Sequence, residues 1–303
     1  MSRFIESHED LRYFVDRFDN FLFDCDGVIW HGDELIPGVK EVLVYLRSIK
    51  KRLIFVTNNA TKSRESFKSK FDRLGIQADL DEIFGSAYAT ALYLKRILKF
   101  PENRKVYVIG EKGVEDELAS ENVRFCGGTD PADNEFLELM DFSSITTDKE
   151  VGAVLCGFDM HINYKKLAKA HRYLIENEDC HFILTNDDST FPTDGSIFPG
   201  SGAISAPLRY ALVGKKTPIV VGKPHQPMLD CILDKHHLDR SKTCMIGDRL
   251  DTDILFGING KLSTLLVLTG VVSKADVQKV DAKIVPEFVI ESLGDFAPLA
   301  SSF

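Results

Sequence analysis

The chain has 303 residues, 44% of them apolar and 27% charged, an ordinary globular composition that excludes wholesale disorder. Lys and Arg total 37 against 46 Asp and Glu, a net charge of −9, which excludes the broad basic face of a general nucleic-acid binder. The same acidity repels phosphorylated ligands at long range, so any phosphate site must carry its own positive charge from lysine, backbone N–H groups or a metal ion.

In chain order, Phe21-Leu22-Phe23 predicts the first buried strand. Val39, Val42, Leu43, Leu46 and Ile49 then fall at helical spacing behind Pro37. Residues 53–56 predict a second strand, and Phe67, Phe71 and Leu74 a second helix closed by Gly75. Residues 106–109, 151–155 and 182–184 predict further strands, with a helix carrying Leu167, Ala170, His171 and Leu174 before the last of them. Residues 219–221, a helix through Met228, Leu229, Ile232 and Leu233, and strands at 244–246 and 265–268 follow. Uninterrupted apolar runs suit a parallel sheet covered on both faces, and their alternation with helices predicts an α/β fold. Residues 126–149 read as a polar surface excursion and 187–205 as a hinge, which suggests two lobes.

No stretch nears the roughly 20 apolar residues that cross a bilayer, and residues 1–20 lack the apolar core of a signal peptide. The six cysteines form no CxxC pair and read as reduced thiols. The expectation is a cytoplasmic protein that binds neither membrane nor nucleic acid.

In open parallel sheets, ligands sit beyond the carboxyl ends of the strands. The first predicted strand runs into Asp24-Cys25-Asp26-Gly27-Val28, and the second into Thr57-Asn58-Asn59. A later one runs into Gly222-Lys223-Pro224, and the next into Gly247-Asp248-Arg249-Leu250-Asp251-Thr252-Asp253. Converging at one edge, these residues make an acidic cluster able to hold Mg²⁺, beside a Thr/Lys cradle for phosphate. Each piece is weak alone; their joint occurrence, in order and each after a predicted strand, is the signal.

Here the sequence resembles the haloacid dehalogenase-like phosphatases, with Asp24-x-Asp26-Gly-Val as first motif, Thr57 as second, Lys223 as third, and Asp248 with Asp253 as fourth. DCDGVIW, VTNNATKSR, TNDDSTFP, VVGKP and MIGDRLDTDI resemble the subfamily of 4-nitrophenylphosphatases, phosphoglycolate phosphatases and pyridoxal phosphatases, and most of all its fungal branch. The resemblance implies a doubly wound parallel-sheet core over residues 1–93 plus 207–303. A large C2-type α/β cap over 94–206 would be inserted between the second and third motifs.

The resemblance also implies the chemistry. Asp24 attacks phosphorus to form an aspartyl-phosphate, while Asp26 protonates the leaving oxygen and then activates water. Asp24, the backbone carbonyl of Asp26, and Asp248 hold Mg²⁺, with Asp253 in support. Thr57, the Asn58 N–H and Lys223 bind the phosphoryl oxygens, and Asn59 braces that loop. His161 is a candidate to meet a substrate carboxylate, and a homodimer through the cap is implied. Phe191 stands where pyridoxal phosphatases tend to carry His, so the first choice of substrate is a small acidic phosphomonoester such as 2-phosphoglycolate, with 4-nitrophenyl phosphate as an artificial one. Phosphotyrosine proteins or pyridoxal phosphate are the alternative, and a non-catalytic scaffold is the third reading.

Several residues have plainer readings. Cys25 is read as a small buried filler rather than an oxidation switch, and Trp30 and His31 as packing. Asp251 is read as a helix N-cap, Asp253 as split between ligand support and helix-start electrostatics, and His236-His237 as surface. Gly200-Ser201-Gly202 lacks a preceding strand and the last glycine of a dinucleotide fingerprint.

Overall fold

The computed structural model describes residues 2–135, 142–193, 195–277 and 283–300. It comprises two compact units: residues 1–57, 65–84 and 223–303 form the first, and 58–64 with 85–222 the second. A seven-stranded sheet organises the first and a five-stranded sheet the second. Their strands, in chain order, are β1 (Arg3–Phe4), β2 (Asn20–Phe23), β3 (Arg52–Thr57), β4 (Ile83–Gly85), β5 (Lys105–Ile109), β6 (Phe125–Gly127), β7 (Val151–Cys156), β8 (His181–Leu184), β9 (Ile219–Val220), β10 (Thr243–Gly247), β11 (Ser263–Val267) and β12 (Phe288–Ile290).

The first sheet runs β1-β12-β11-β10-β2-β3-β4 and is parallel from β1 to β3. Every residue of β2 and β10 is buried, as an apolar run covered on both faces requires. One cover is the helix His8–Arg17, which starts on a capping box: Ser7 Oγ accepts the Asp10 N–H, and the Asp10 carboxylate accepts the Ser7 N–H. It buries Leu11, Phe14 and Val15, and the Phe14 ring lies 5.2 Å from both Phe18 and Phe288. The same cluster takes in Phe55 and Phe71, 4.5 Å apart, and Trp30, 5.0 Å from Phe71. Full burial of such side chains contributes about 1.5–3 kcal/mol each.

The second sheet runs β9-β8-β7-β5-β6, parallel throughout. Counted within this unit, that is the 2-1-3-4-5 order of a small doubly wound domain. The helices Tyr164–Glu176 and Ser201–Ala211 cover it, burying Ala170, Tyr173, Leu174 and Leu208 against Phe182 and Leu184.

The unit boundary departs from the sequence expectation. The run at 219–221 joins the second sheet, where Ile219 and Val220 pair with Ile183 and Leu184. The helix Ser201–Ala211 packs in the same unit, so the first unit resumes at Lys223 rather than at 207. The second unit also begins its main segment at Gly85 rather than 94. An apolar run announces burial but not which sheet receives it. Residues 187–205 are not a plain hinge: Thr190–Thr193 and Ser196–Pro199 form an antiparallel hairpin. Of the expected excursion at 126–149, residues 136–141 lie outside the described residues. Among the described residues, no helix is long and apolar enough to cross a membrane.

Candidate active site

The parallel register sets the site. Phe23 lies opposite Ile246 on one side and Phe55 on the other, so β10, β2 and β3 end at one level. The Asp24 N–H donates to Ile246 O at 2.8 Å, which carries the alignment past the end of the strand. Asp24, Thr57 and Asp248 are then the residues that emerge at that edge, all in the first unit.

Lys223 enters the same place from the segment that follows β9. Its Nζ donates to Asp24 Oδ1 at 2.6 Å, to Asp253 Oδ1 at 2.7 Å and to Val56 O at 3.0 Å. These acceptors match the three donors of an ammonium group. Burial opposes the charge on Lys223, but Asp24 and Asp253 beside it outweigh burial and raise its pKa. The expected role of Lys223 as a phosphoryl ligand is therefore joined by one the motif does not announce, the orientation of Asp24.

Asp24, Asp248 and Asp253 each direct a carboxylate oxygen to a common point, those atoms lying within 4.8 Å of one another. With all groups ionised, three carboxylates beside one ammonium give the cluster two negative charges in excess (three minus one). Burial raises the Asp24 carboxyl well above the usual carboxylate range, against the pull of Lys223. Burial and the charge of Asp253 push Asp248 up to about 7. A buried, oxygen-only, net-negative cluster is the donor chemistry of a hard divalent cation.

Close glycines make room for it. Gly27 has φ +82°, and a Cβ there would stand 2.6 Å from Asp248 Oδ2; at Gly270 it would stand 1.8 Å from the same oxygen. Asp248 Oδ2 instead accepts the Val271 N–H at 2.9 Å. Asp253 spans two roles, its Oδ2 accepting the Arg249 N–H at 3.1 Å while Oδ1 holds Lys223. Asp251 is not the expected N-cap: it lies within the helical turn Leu250–Ile254 and pairs with the Arg249 side chain at 3.0 Å. Side-chain reach to a nearby guanidinium outcompetes the backbone there.

Asp26, two residues after Asp24, is exposed. Its Oδ1 accepts the indole N–H of Trp30 at 2.9 Å. Trp30 is fully buried, set edge-on to Phe71 and capped by the Lys70 ammonium 4.2 Å from the ring. Packing was the expected reading of Trp30; the structure adds that this packed side chain aims Asp26. Trp30→Phe keeps most of the core but removes the donor. On the expected role of Asp26 as general acid, kcat should fall about tenfold, a part of the 10²–10⁴ that such a group supplies, with KM little changed. An unchanged kcat and pH–rate profile in the folded variant would reduce Trp30 to a core residue. Cys25 between the two aspartates is buried, and burial raises its thiol pKa well above normal, which keeps it protonated and supports the filler reading. His236 is half-buried rather than at the surface, its ring 5.5 Å from Phe84.

Within the second unit, Asn58 is held on both ends. Its carbonyl accepts Ser86 Oγ at 2.6 Å and Asn186 Nδ2 at 2.8 Å, and its own Nδ2 donates to both oxygens of Asp188 at 3.1 and 3.2 Å. Asn59 Oδ1 accepts the Thr61 N–H and hydroxyl at 2.9 and 2.7 Å, which braces the loop. Thr57, at the end of β3, is buried. His161 lies in the second unit, at a cavity it shares with Asp159 and Lys166. Phe191 packs edge-on to Phe158 at 5.4 Å.

Comparison with known proteins finds relatives over nearly the whole chain. Residues 21–124 match the model of a haloacid dehalogenase-like hydrolase family, and 220–296 match a second, HAD-hydrolase-like model. The chain is 48% identical over 301 residues to a 4-nitrophenylphosphatase of Schizosaccharomyces pombe, covering 99% of this chain and 100% of the relative. It is 45% identical to the chloroplastic phosphoglycolate phosphatase 1A of Arabidopsis thaliana, covering 95% of this chain and 79% of the relative. A p-nitrophenyl phosphatase structure from Archaeoglobus fulgidus superposes with a TM-score of 0.79 at 29% identity, over 93% of this chain and 99% of that one.

Proposed function

The chain belongs to the haloacid dehalogenase-like hydrolases, and from that premise we propose that it is a Mg²⁺-dependent phosphatase of small phosphomonoesters working through Asp24. The observation that carries this is the meeting of Asp24, Asp248 and Asp253 within 4.8 Å, with Lys223 bonded to two of them. Asp24, Asp248 and the backbone carbonyl of Asp26 would hold Mg²⁺, with Asp253 in support. When bound, the ion supplies charge neutralisation for the phosphoryl group and its attacking carboxylate.

The protein's own residues do the rest. Lys223 fixes one oxygen of Asp24 at 2.6 Å and leaves the other for attack on phosphorus. The P–O bond to the leaving group breaks as the acyl-phosphate forms, and Asp26, aimed by Trp30, gives that oxygen its proton. Asp26 then takes a proton from water as the water attacks the aspartyl-phosphate, releasing phosphate and restoring Asp24. Thr57 and the Asn58 N–H receive the phosphoryl oxygens. Cytoplasmic residence fits this assignment and the sequence.

The first-choice natural substrate is 2-phosphoglycolate. Purified protein is to be tested on 2-phosphoglycolate, glycerol 3-phosphate, pyridoxal phosphate, phosphotyrosine and 4-nitrophenyl phosphate, each with MgCl₂ or EDTA. The expected result is turnover that EDTA abolishes and Mg²⁺ restores, with kcat/KM highest for 2-phosphoglycolate. Full activity in EDTA overturns the metal assignment, and a higher kcat/KM for another ester overturns the substrate.

A further inference from the structure

The second unit has an edge of its own. In its 2-1-3-4-5 sheet the chain leaves β5 in one direction for β6 and in the other for β7, and a crevice opens where the direction reverses. A cavity of about 280 Å³ lies there. Gly110 and Glu111 follow β5, Gly128 and Thr129 follow β6, and Asp159 follows β7. Lys166, from the first turns of the helix Tyr164–Glu176, and His161 complete the wall with Asn134. Of the residues the sequence offers for phosphate hydrolysis, only His161, the candidate contact to a substrate carboxylate, lines it.

Lys166 is the informative residue. It is only 1% exposed, yet it faces a cavity. Its Nζ donates to Asp159 Oδ2 at 2.7 Å, and among the described residues that is its sole acceptor. An ammonium has three donors, and a buried charge is costly unless its hydrogen bonds are made. Two N–H groups thus point to acceptors supplied from the cavity. Each oxygen of Asp159 already accepts one bond, Oδ1 taking the His161 backbone N–H at 2.8 Å and Oδ2 the Lys166 ammonium. Thr129 donates its hydroxyl to Glu115 at 2.8 Å and offers a lone pair. Glu111 accepts the Met160 N–H at 2.9 Å through one oxygen, Oε1.

The wall therefore offers open donors on Lys166 at one place and acceptors on Glu111 and Thr129 at another. Two carboxylates, Glu111 and Asp159, oppose a phosphate dianion. A single carboxylate satisfies the ammonium with less repulsion, and hydroxyl groups satisfy Glu111 and Thr129. The volume is at the small end for ligand sites, which run from about 300 Å³ upward. We propose that this cavity is a second binding site, for a small polyhydroxy carboxylate such as a sugar acid. The carboxylate lies on the Lys166 ammonium and the hydroxyls lie toward Glu111, Thr129 and Asn134. This site does not depend on the phosphatase reading.

The test uses the full chain with ¹³C-labelled histidine, the His161 ring signal being assigned by His161→Gln. D-gluconate and D-glycerate are titrated as probes, with sorbitol and inorganic phosphate as the uncharged and dianionic comparisons. The expected result is a saturable shift of the His161 signal by gluconate or glycerate, undisturbed by Asp24→Asn. Sorbitol and phosphate should bind at least about tenfold more weakly, the size of one lost hydrogen bond to a charged group. Lys166→Met combined with Asp159→Leu removes both charges and leaves neither unpaired, and it should weaken binding by about tenfold or more. If that double variant fails to fold, Asn134→Leu at an exposed wall position should weaken binding instead. No saturable shift, equal binding of sorbitol, loss of the shift in Asp24→Asn, or undiminished binding in a folded wall variant would each overturn the proposal.

Discussion

Asp24→Asn is expected to lower kcat on every phosphomonoester by about 10⁴-fold or more, the scale of losing a covalent nucleophile. It is also expected to leave the fold no less stable in EDTA. The second half follows from the charge count. Three carboxylates, two of them buried, stand beside one ammonium, and desolvation already raises the pKa of Asp24. Asn keeps the shape, removes one negative charge and leaves Lys223 its bond to Asp253 at 2.7 Å. The melting temperature in EDTA should match or exceed that of the wild type, and its rise on adding MgCl₂ should shrink. Acid-quenched labelling separates the chemical role from general damage. With a ³²P-labelled ester, Asp26→Asn should retain label on the protein and Asp24→Asn should retain none. Label retained without Asp24 would falsify the nucleophile assignment.

The parts of this site that were legible in the sequence are those set by local pattern. Each of the four motifs follows an apolar run, and parallel register converts such positions into one edge. The pattern alone thus brings Asp24, Asp248 and Lys223 to one edge. What stayed hidden depends on partners distant in the chain. Trp30 looks like a core residue because it is one, and only the indole–carboxylate distance shows that it aims Asp26. The three bonds of Lys223 come from residues 24, 56 and 253. Short strands escaped as well: β1, β4, β6 and β12 have two or three residues each, too few to show a period. The run at 219–221 is only half-buried at Ile219 and Val220 and joins the second sheet, because pairing with Ile183 and Leu184 leaves no mark in its own composition.

The other large effect is expected at Lys223, and it should appear in stability as much as in rate. Lys223→Met removes the ammonium bonded to Asp24 and Asp253 and leaves those two carboxylates without it. Breaking a buried pair in this way costs about 3–5 kcal/mol. Loss of the hold on Asp24 should lower kcat by about 10³-fold, from misplacement of the attacking oxygen and lost charge stabilisation. The stability cost should depend on pH, and its sign is fixed. With the cation gone, the carboxyl of Asp24, already raised by burial, moves further above its unfolded value of about 3.9. An acid raised on folding holds its proton in the folded chain after the unfolded chain has lost it. Stability is then greatest below the unfolded value and falls as pH rises through the folded one. The Asp248 carboxyl, already pushed to about 7 by burial and Asp253, adds to the same slope. In EDTA, the gap in melting temperature between Lys223→Met and wild type should therefore be wider at pH 8 than at pH 5. Lys223→Met combined with Asp253→Leu should recover most of the stability and none of the activity, because the second change removes a stranded charge without restoring the hold on Asp24. A single variant as stable as wild type at pH 8, or a double variant that regains turnover, would contradict the idea that Lys223 holds the nucleophile in place.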